Sequence, residues 1–262
     1  MKRFTLVVFM FFLSTLVVGC SVLSSGSLSA TSYIVPLYSY PGDSYYSNEW
    51  RKLFDFDSRG RKVEVIINAD NGPGNSRDAN FDQAISNLRS KGFHVIGYVY
   101  TSYGARSVSD VKTDIDKWFS IYGTNRIDGI FFDEVSTKEE YFSYYSNLTS
   151  YVKQTYGNDK VVIFNPGTTV SKVYFSIADK IIVFESPYHV FKNFNYGDYS
   201  GIDSDRVCTI VLGVDNKAKL DEVKEKAIRN NSSCLYITSQ LDDGSRDSAY
   251  FVVSKYMIEH EF

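Results

Sequence analysis

Residues that bind transition metals are scarce in this chain. It carries 3 cysteines and 3 histidines in 262 residues, and no C-x-x-C pair or His/Cys spacing builds a zinc site. His94, His189 and His260 are scattered and form no ligand set. A formal net charge of -3 and an isoelectric point near 5.7 leave no basic footprint for a nucleic-acid partner. No glycine-rich phosphate fingerprint follows the first apolar segment, where Tyr38-Ser-Tyr-Pro-Gly42 stands instead. After residue 32 there is no linker, low-complexity tract or internal repeat. These absences argue against a zinc protein, a nucleotide-binding open sheet and a multidomain chain, and no cofactor is called for.

What is present is an ordinary globular composition, 44% hydrophobic and 23% charged, long enough for one large core. Tyrosine and phenylalanine are abundant, 21 and 19 residues. Tyrosine pairs an apolar face with a hydroxyl, which suits a sugar-binding cleft, and equally a half-wet surface or a compositional bias. The N-terminus opens with Met1-Lys2-Arg3, continues apolar from Phe4 to Val18 and reaches Gly19-Cys20 before a serine-rich stretch. That order is expected of an export signal over residues 1–20, with Cys20 as a lipid acceptor, then a tether over 21–32 and a domain over 33–262. A plain signal peptide or an uncleaved anchor is the alternative. The expected location is extracellular, at the cell surface, with a membrane contact through the N-terminal lipid or anchor. Cys208 and Cys234 then remain as a pair, each opening a predicted strand. They are either a disulfide or two buried thiols.

Apolar strands alternate with helical or connecting segments along the rest of the chain. Predicted strands are Tyr33–Tyr38, Val63–Asn68, His94–Tyr100, Ile127–Asp133, Val161–Asn165, Lys180–Glu185, Val207–Val214 and Cys234–Thr238. Predicted helices include Asn80–Lys91, Val108–Tyr122, Lys138–Tyr156, Val170–Ile177, Asn216–Asn230 and a closing helix Ser248–His260. Eight such units in about 230 residues predict an α/β fold, a single-domain (β/α)8 TIM barrel, with a doubly wound sheet as the rival.

Barrel chemistry sits at the C-terminal ends of the strands. Acids, amides and tyrosines gather there: Tyr38; Asn68; Tyr98, Tyr100, Tyr103 and Arg106; Asp133 and Glu134; Asn165; Glu185; and Thr238. Asp133 and Glu134 are adjacent, and on a regular strand neighbouring side chains point to opposite faces. One is therefore expected to face a pocket while the other supports it. Glu185 ends the apolar run Ile-Ile-Val-Phe, where burial pushes a carboxyl pKa upward, as a general acid requires, unless Arg106 pairs with it. Asp133 and Glu185 stand two strands apart and can face each other across the barrel mouth. Paired carboxylates of this kind point to glycoside hydrolysis. The rivals are a metal-dependent hydrolase using Asp133, Glu134 and Glu185, and a non-catalytic surface protein that binds glycans. Tyr98, Tyr100 and Tyr103 are read either as a stacking platform for sugar rings or as packing under a loop.

Several motifs occur together in an order that resembles the spherulin-4 (spherulation-specific family 4) pattern. They are Val35-Pro-Leu-Tyr38, Asn71-Gly-Pro-Gly74, Gly97-Tyr-Val-Tyr-Thr-Ser-Tyr-Gly104 with Arg106, Asp128-Gly-Ile-Phe-Phe-Asp-Glu134, Asn165-Pro-Gly-Thr168 and Val183-Phe-Glu185. The resemblance implies a (β/α)8 barrel and a secreted endo-glycosidase acting on α-1,4-linked galactosamine or N-acetylgalactosamine in exopolysaccharides. It implies Asp133 as nucleophile or stabiliser, Glu185 as acid/base and Glu134 as their companion. Tyr38, Asn68, Tyr98, Tyr100, Tyr103, Arg106, Asn165 and Thr238 are the expected substrate contacts, and a monomer with a polysaccharide substrate is the expected assembly. The chain departs from the pattern at Asn68-Ala69 and Thr238-Ser239, both on the presumed substrate rim.

Overall fold

The computed structural model describes residues 29–262, so the expected signal segment, Cys20 and most of the tether lie outside the described residues. The fold already takes in the end of that tether: Ala30 is buried and Ser32 opens the first strand. Eight strands follow: β1 (Ser32–Leu37), β2 (Lys62–Ile67), β3 (His94–Tyr100), β4 (Gly129–Asp133), β5 (Val161–Phe164), β6 (Lys180–Pro187), β7 (Val207–Leu212) and β8 (Cys234–Ile237). Each pairs in parallel with the next, and β8 returns to β1, closing a (β/α)8 barrel. The strands are apolar almost throughout because both faces are covered, one by the barrel interior and one by helices.

The outer layer follows from amphipathic spacing and capping. Helices α1 (Ser47–Asp55), α2 (Ala79–Ser90), α3 (Val108–Tyr122) and α4 (Phe142–Tyr156) turn Trp50, Phe81, Trp118 and Tyr145 inward. Asp78 and Ser107 accept backbone N–H bonds at the starts of α2 and α3, satisfying donors that a helix leaves free at its first turn. Against β3 the layers meet closely. A Cβ on Gly97 would lie 2.7 Å from the Trp118 indole, whose Nε1 donates to the Tyr98 carbonyl at 2.8 Å. That contact seats the strand that carries Tyr98.

Two expected helices differ. Val170–Ile177 is only a 3-10 turn over Lys172–Ser176. The closing helix shrinks to α7 (Lys255–Ile258), after a short α5 (Tyr188–Phe191) and a full α6 (Lys217–Arg229). The reason lies at the seam of the barrel. β1 and β8 pair only at Ser32↔Cys234 and Tyr33↔Leu235. Above that point the segment after Ser248 takes over. Tyr38 N donates to the Tyr250 carbonyl at 2.7 Å, and Val253 N donates to Glu49 Oε2 at 2.9 Å. Backbone groups spent on β1 and α1 are not available for a helical ladder.

The interior is charged at its lower end. Lys180 on β6 reaches across to Glu64 on β2 at 3.3 Å, to Asp205 at 3.1 Å and to Ser32 Oγ at 2.9 Å, and both Lys180 and Glu64 are buried. Burial pushes the Glu64 carboxyl up, and the Lys180 charge works against that rise. Cys208 and Cys234, direct neighbours on β7 and β8, are joined as a disulfide.

Two stability measurements test these ties. Lys180→Met leaves Glu64 buried without its cation and is expected to lower unfolding free energy by about 3 kcal/mol in urea titrations, with much of the loss recovered when Glu64→Gln is added. A double variant that fails to recover would show that the pair itself is not the tie. Replacing both Cys208 and Cys234 by serine releases a loop spanning 26 residues and is expected to cost about 3 kcal/mol. Equal midpoints for oxidised wild type and the double serine variant would contradict it.

Candidate active site

The upper end of the barrel brings the expected carboxylates together through one amide. Asn165 Nδ2 donates to Asp133 Oδ1 at 2.8 Å and to Glu185 Oε2 at 2.5 Å. Its orientation is fixed because Asn165 Oδ1 accepts from Gly167 N at 3.0 Å. Each acid also receives a phenol: Tyr98 donates to Asp133 Oδ2 at 2.8 Å, and Tyr250 donates to Glu185 Oε1 at 2.9 Å. All four carboxyl oxygens are thus engaged. Beneath them Tyr38 stacks on Tyr250 and meets Tyr98 edge-on, each at 5.5 Å between ring centres. Burial and the two nearby carboxylates push the Tyr38 phenol well up, so it stays neutral.

Glu185 reaches this position through an irregularity. Lys180 faces the barrel interior, and a residue five places along a regular strand faces the other way. The register of β6 against β7 runs Ile182↔Cys208, then Phe184↔Thr209, leaving Val183 as an extra residue. Phe184 therefore points outward, onto Phe191 and Phe194, and Glu185 points inward. A bulge commonly re-aims a side chain beside a site in this way.

Glu134 departs from the strand as well. Its φ is 52°, a left-handed conformation costly for a non-glycine residue. The turn is held by Thr101 Oγ1, which donates to the Asp133 and Glu134 carbonyls at 3.0 and 2.8 Å, and by Tyr103 N, which donates to the Glu134 carbonyl at 2.7 Å. Strand alternation ends at Asp133, so Asp133 and Glu134 line one cleft of about 380 Å³ together with Tyr103, Asn165 and Glu185. The expectation that only one of the adjacent acids meets the cleft rested on a regular strand, which stops one residue too early.

Electrostatics separate the two central acids. Burial raises both carboxyl pKa values. Asp133 has the stronger opposing set: the Tyr98 hydroxyl, the Glu134 backbone N–H and the Asn165 amide all favour its ionised form. Glu185 is pushed up to about 7 by burial and by the Asp133 charge, with Asn165 and Tyr250 pulling it down. No cation meets it among the described residues. Arg106 lies over the Tyr100 ring at 4.1 Å, donates to the Tyr100 carbonyl and pairs with Asp114 at 2.6 Å.

The remaining expected contacts divide. Tyr103 stands exposed on the cleft. Asn68 Oδ1 accepts from Gly72 N and shapes the loop after β2, Tyr100 holds Arg106, and Thr238 is fully buried against Gln240. Tyr250 was not legible as a site residue, because a residue in the predicted closing helix gives no signal that it crosses the barrel seam.

Residues 32–259 match the model of the spherulation-specific family 4. The chain belongs to that family. Spherulin-4 of Physarum polycephalum is 35% identical over 195 residues, covering 72% of this chain and 56% of that protein, so the chain spans little more than half the length of this relative. Among solved structures, Aspergillus clavatus Sph3 in complex with GalNAc superposes with a TM-score of 0.70 at 26% identity, covering 88% of this chain and 96% of that one. The barrel of this family is therefore the setting of the carboxylate pair.

The pair can be tested without a substrate. A carboxyl-carbon NMR titration is expected to give Glu185 a midpoint of about 7. The Tyr250 hydroxyl favours the carboxylate, so Tyr250→Phe should move that midpoint upward by about one pH unit, as a hydrogen bond to a charged group is worth about 1.5 kcal/mol or more. A downward movement would contradict the assigned bond.

Proposed function

We propose that this member of the spherulation-specific family 4 is a glycoside hydrolase that cleaves an α-linked amino-sugar polysaccharide by a retaining, two-carboxylate mechanism. The observation that carries the reading is the shared Asn165 nitrogen. Two oxygens that sit 2.8 and 2.5 Å from one atom are no more than about 5.3 Å apart, which does not exceed the roughly 5–5.5 Å of retaining pairs and is well short of the roughly 6.5–9.5 Å of inverting ones. Glu185, held protonated toward neutrality, is the acid. It gives its proton to the glycosidic oxygen while an Asp133 oxygen bonds to the anomeric carbon and the C–O bond to the leaving sugar breaks. Glu185, now ionised, takes a proton from water as that water attacks the anomeric carbon and releases Asp133. The GalNAc bound by Sph3 supports an amino sugar as substrate. The polysaccharide lies outside the cell in this reading, with the chain exported and tethered through Cys20.

A metal-dependent reaction through the same acids is disfavoured by their partners. Phenol and amide donors face all four oxygens, an arrangement that competes with a cation. Carbohydrate binding without turnover leaves unexplained a carboxyl whose pKa is pushed up to about 7 beside a second carboxyl that three donors favour in its ionised form.

The test is hydrolysis of galactosamine and N-acetylgalactosamine polymers, following reducing ends and product stereochemistry. Wild type should retain anomeric configuration, Asp133→Asn and Glu185→Gln should each lose roughly 100-fold or more in kcat/KM, and a chelator should change nothing. The ionised form of Glu185 cannot act as acid, so kcat/KM should fall as pH rises through about 7. Equal rates for the three proteins, or inversion at the anomeric centre, would overturn the mechanism.

A further inference from the structure

Beside the cleft that holds the two acids lies a second cavity of about 450 Å³. Glu185 is the residue common to the linings of both. Asp133 and Glu134 line the Tyr103 side alone. Tyr250 lines the second cavity alone, together with Pro187 at the end of β6, Leu212 at the end of β7, and Leu241 and Asp242 beyond β8. We propose that this second cavity is the leaving-group subsite, so that the substrate chain crosses the barrel mouth with its reducing end over β7 and β8. The proposal rests on the hydrolase reading above and adds the direction of the chain to it.

The nucleophile must touch the anomeric carbon, so the sugar that it attacks occupies the side lined by Asp133. The acid must touch the oxygen between that sugar and the next, so the next sugar lies on the far side of Glu185. That far side is the second cavity.

The position of the proton agrees. Asn165 Nδ2 can only donate, and its orientation is fixed by Gly167 N, so Glu185 Oε2 is committed to accepting from it. Oε1 faces the Tyr250 hydroxyl at 2.9 Å, a rotatable donor that can also accept, so Oε1 is the oxygen whose partner tolerates a proton. Once the proton has gone, the same hydroxyl donates to the carboxylate and favours it. Oε1 thus faces the wall that belongs to the second cavity alone, and the proton leaves toward the departing sugar.

The cavity also has the surface that a sugar ring requires. Pro187, Leu212 and Leu241 provide an apolar floor for the ring's C–H face, and Ser186 and Asp242 provide polar groups at its edge. Leu241 is 45% exposed, an apolar side chain left open at the mouth. It packs against Gly213, where a Cβ would come within 2.6 Å of Leu241 Cδ2.

Two measurements decide the direction. The structure of Asp133→Asn with an α-1,4 galactosamine hexasaccharide should have the reducing-end half over Leu241, and the reverse polarity would overturn the proposal. Leu241→Ala should lower kcat/KM on the same unlabelled hexasaccharide by roughly fivefold and leave unchanged kcat/KM on a galactosaminyl fluoride, whose leaving group needs no sugar site. Tyr103→Ala should lower both. An equal loss on the two substrates in Leu241→Ala, or no loss on the hexasaccharide, would overturn the subsite while leaving hydrolysis itself intact. Failure of wild type to cleave any such oligosaccharide would instead remove the hydrolase reading, and the subsite with it.

Discussion

Two carboxyl groups that accept from the same amide nitrogen cannot both hold charge at low cost. Asn165 keeps Asp133 and Glu185 at that spacing, and their surroundings decide how the single favourable charge is distributed. Asp133 has a phenol, an amide and a backbone N–H that favour its ionised form. Each acid also feels a neighbouring carboxylate, Glu134 beside Asp133 and Asp133 beside Glu185, and Glu185 has one donor fewer to offset it, which leaves it the better proton holder. The different roles of two similar acids follow from this asymmetry. It depends on a dry floor, which Tyr38, stacked on Tyr250 and edge-on to Tyr98, supplies.

The barrel is regular where it builds the core and irregular where it builds the site. The extra residue Val183 turns Glu185 inward, and without it the apolar run Ile-Ile-Val-Phe would send the acid into the helical layer. The left-handed turn at Glu134 brings a second acid to the cleft that holds Asp133. The short pairing of β8 with β1 leaves an opening into which Tyr250 is delivered. Each exception has a cost, in backbone strain or lost ladder bonds, and the hydrogen bonds around Thr101 and Tyr38 offset it.

These exceptions also mark where the sequence stopped being readable. Strand rhythm is a local pattern, so the eight strands, the barrel and the polar strand ends could be read from spacing alone. Asp133 and Glu185 stood out because a carboxylate at the end of a buried run is expensive without a reason. Nothing local distinguishes Val183 as the bulged residue, since all of Ile181 to Phe184 is apolar and buried. Tyr250 was hidden for a different reason: its partners Tyr38 and Glu185 are distant in the chain, and its neighbourhood has enough apolar residues to pass for a helix. Helical spacing also overcalled Ser248–His260, because backbone groups there bond to β1 and α1 instead.

Arg106 shows why proximity in sequence to a strand end is a poor guide to function. A guanidinium beside Glu185 would favour its ionised form and take away the proton that an acid must hold. The structure keeps that cation elsewhere: Asp114 pairs with it, the Tyr100 carbonyl accepts from it, and its flat face covers the Tyr100 ring. Asp114 lies one helical turn beyond Val111, on α3, and so the partner that holds Arg106 comes from the outer layer and not from the cleft. The raised pKa at the centre comes from burial and from the Asp133 charge, and no cation among the described residues offsets them.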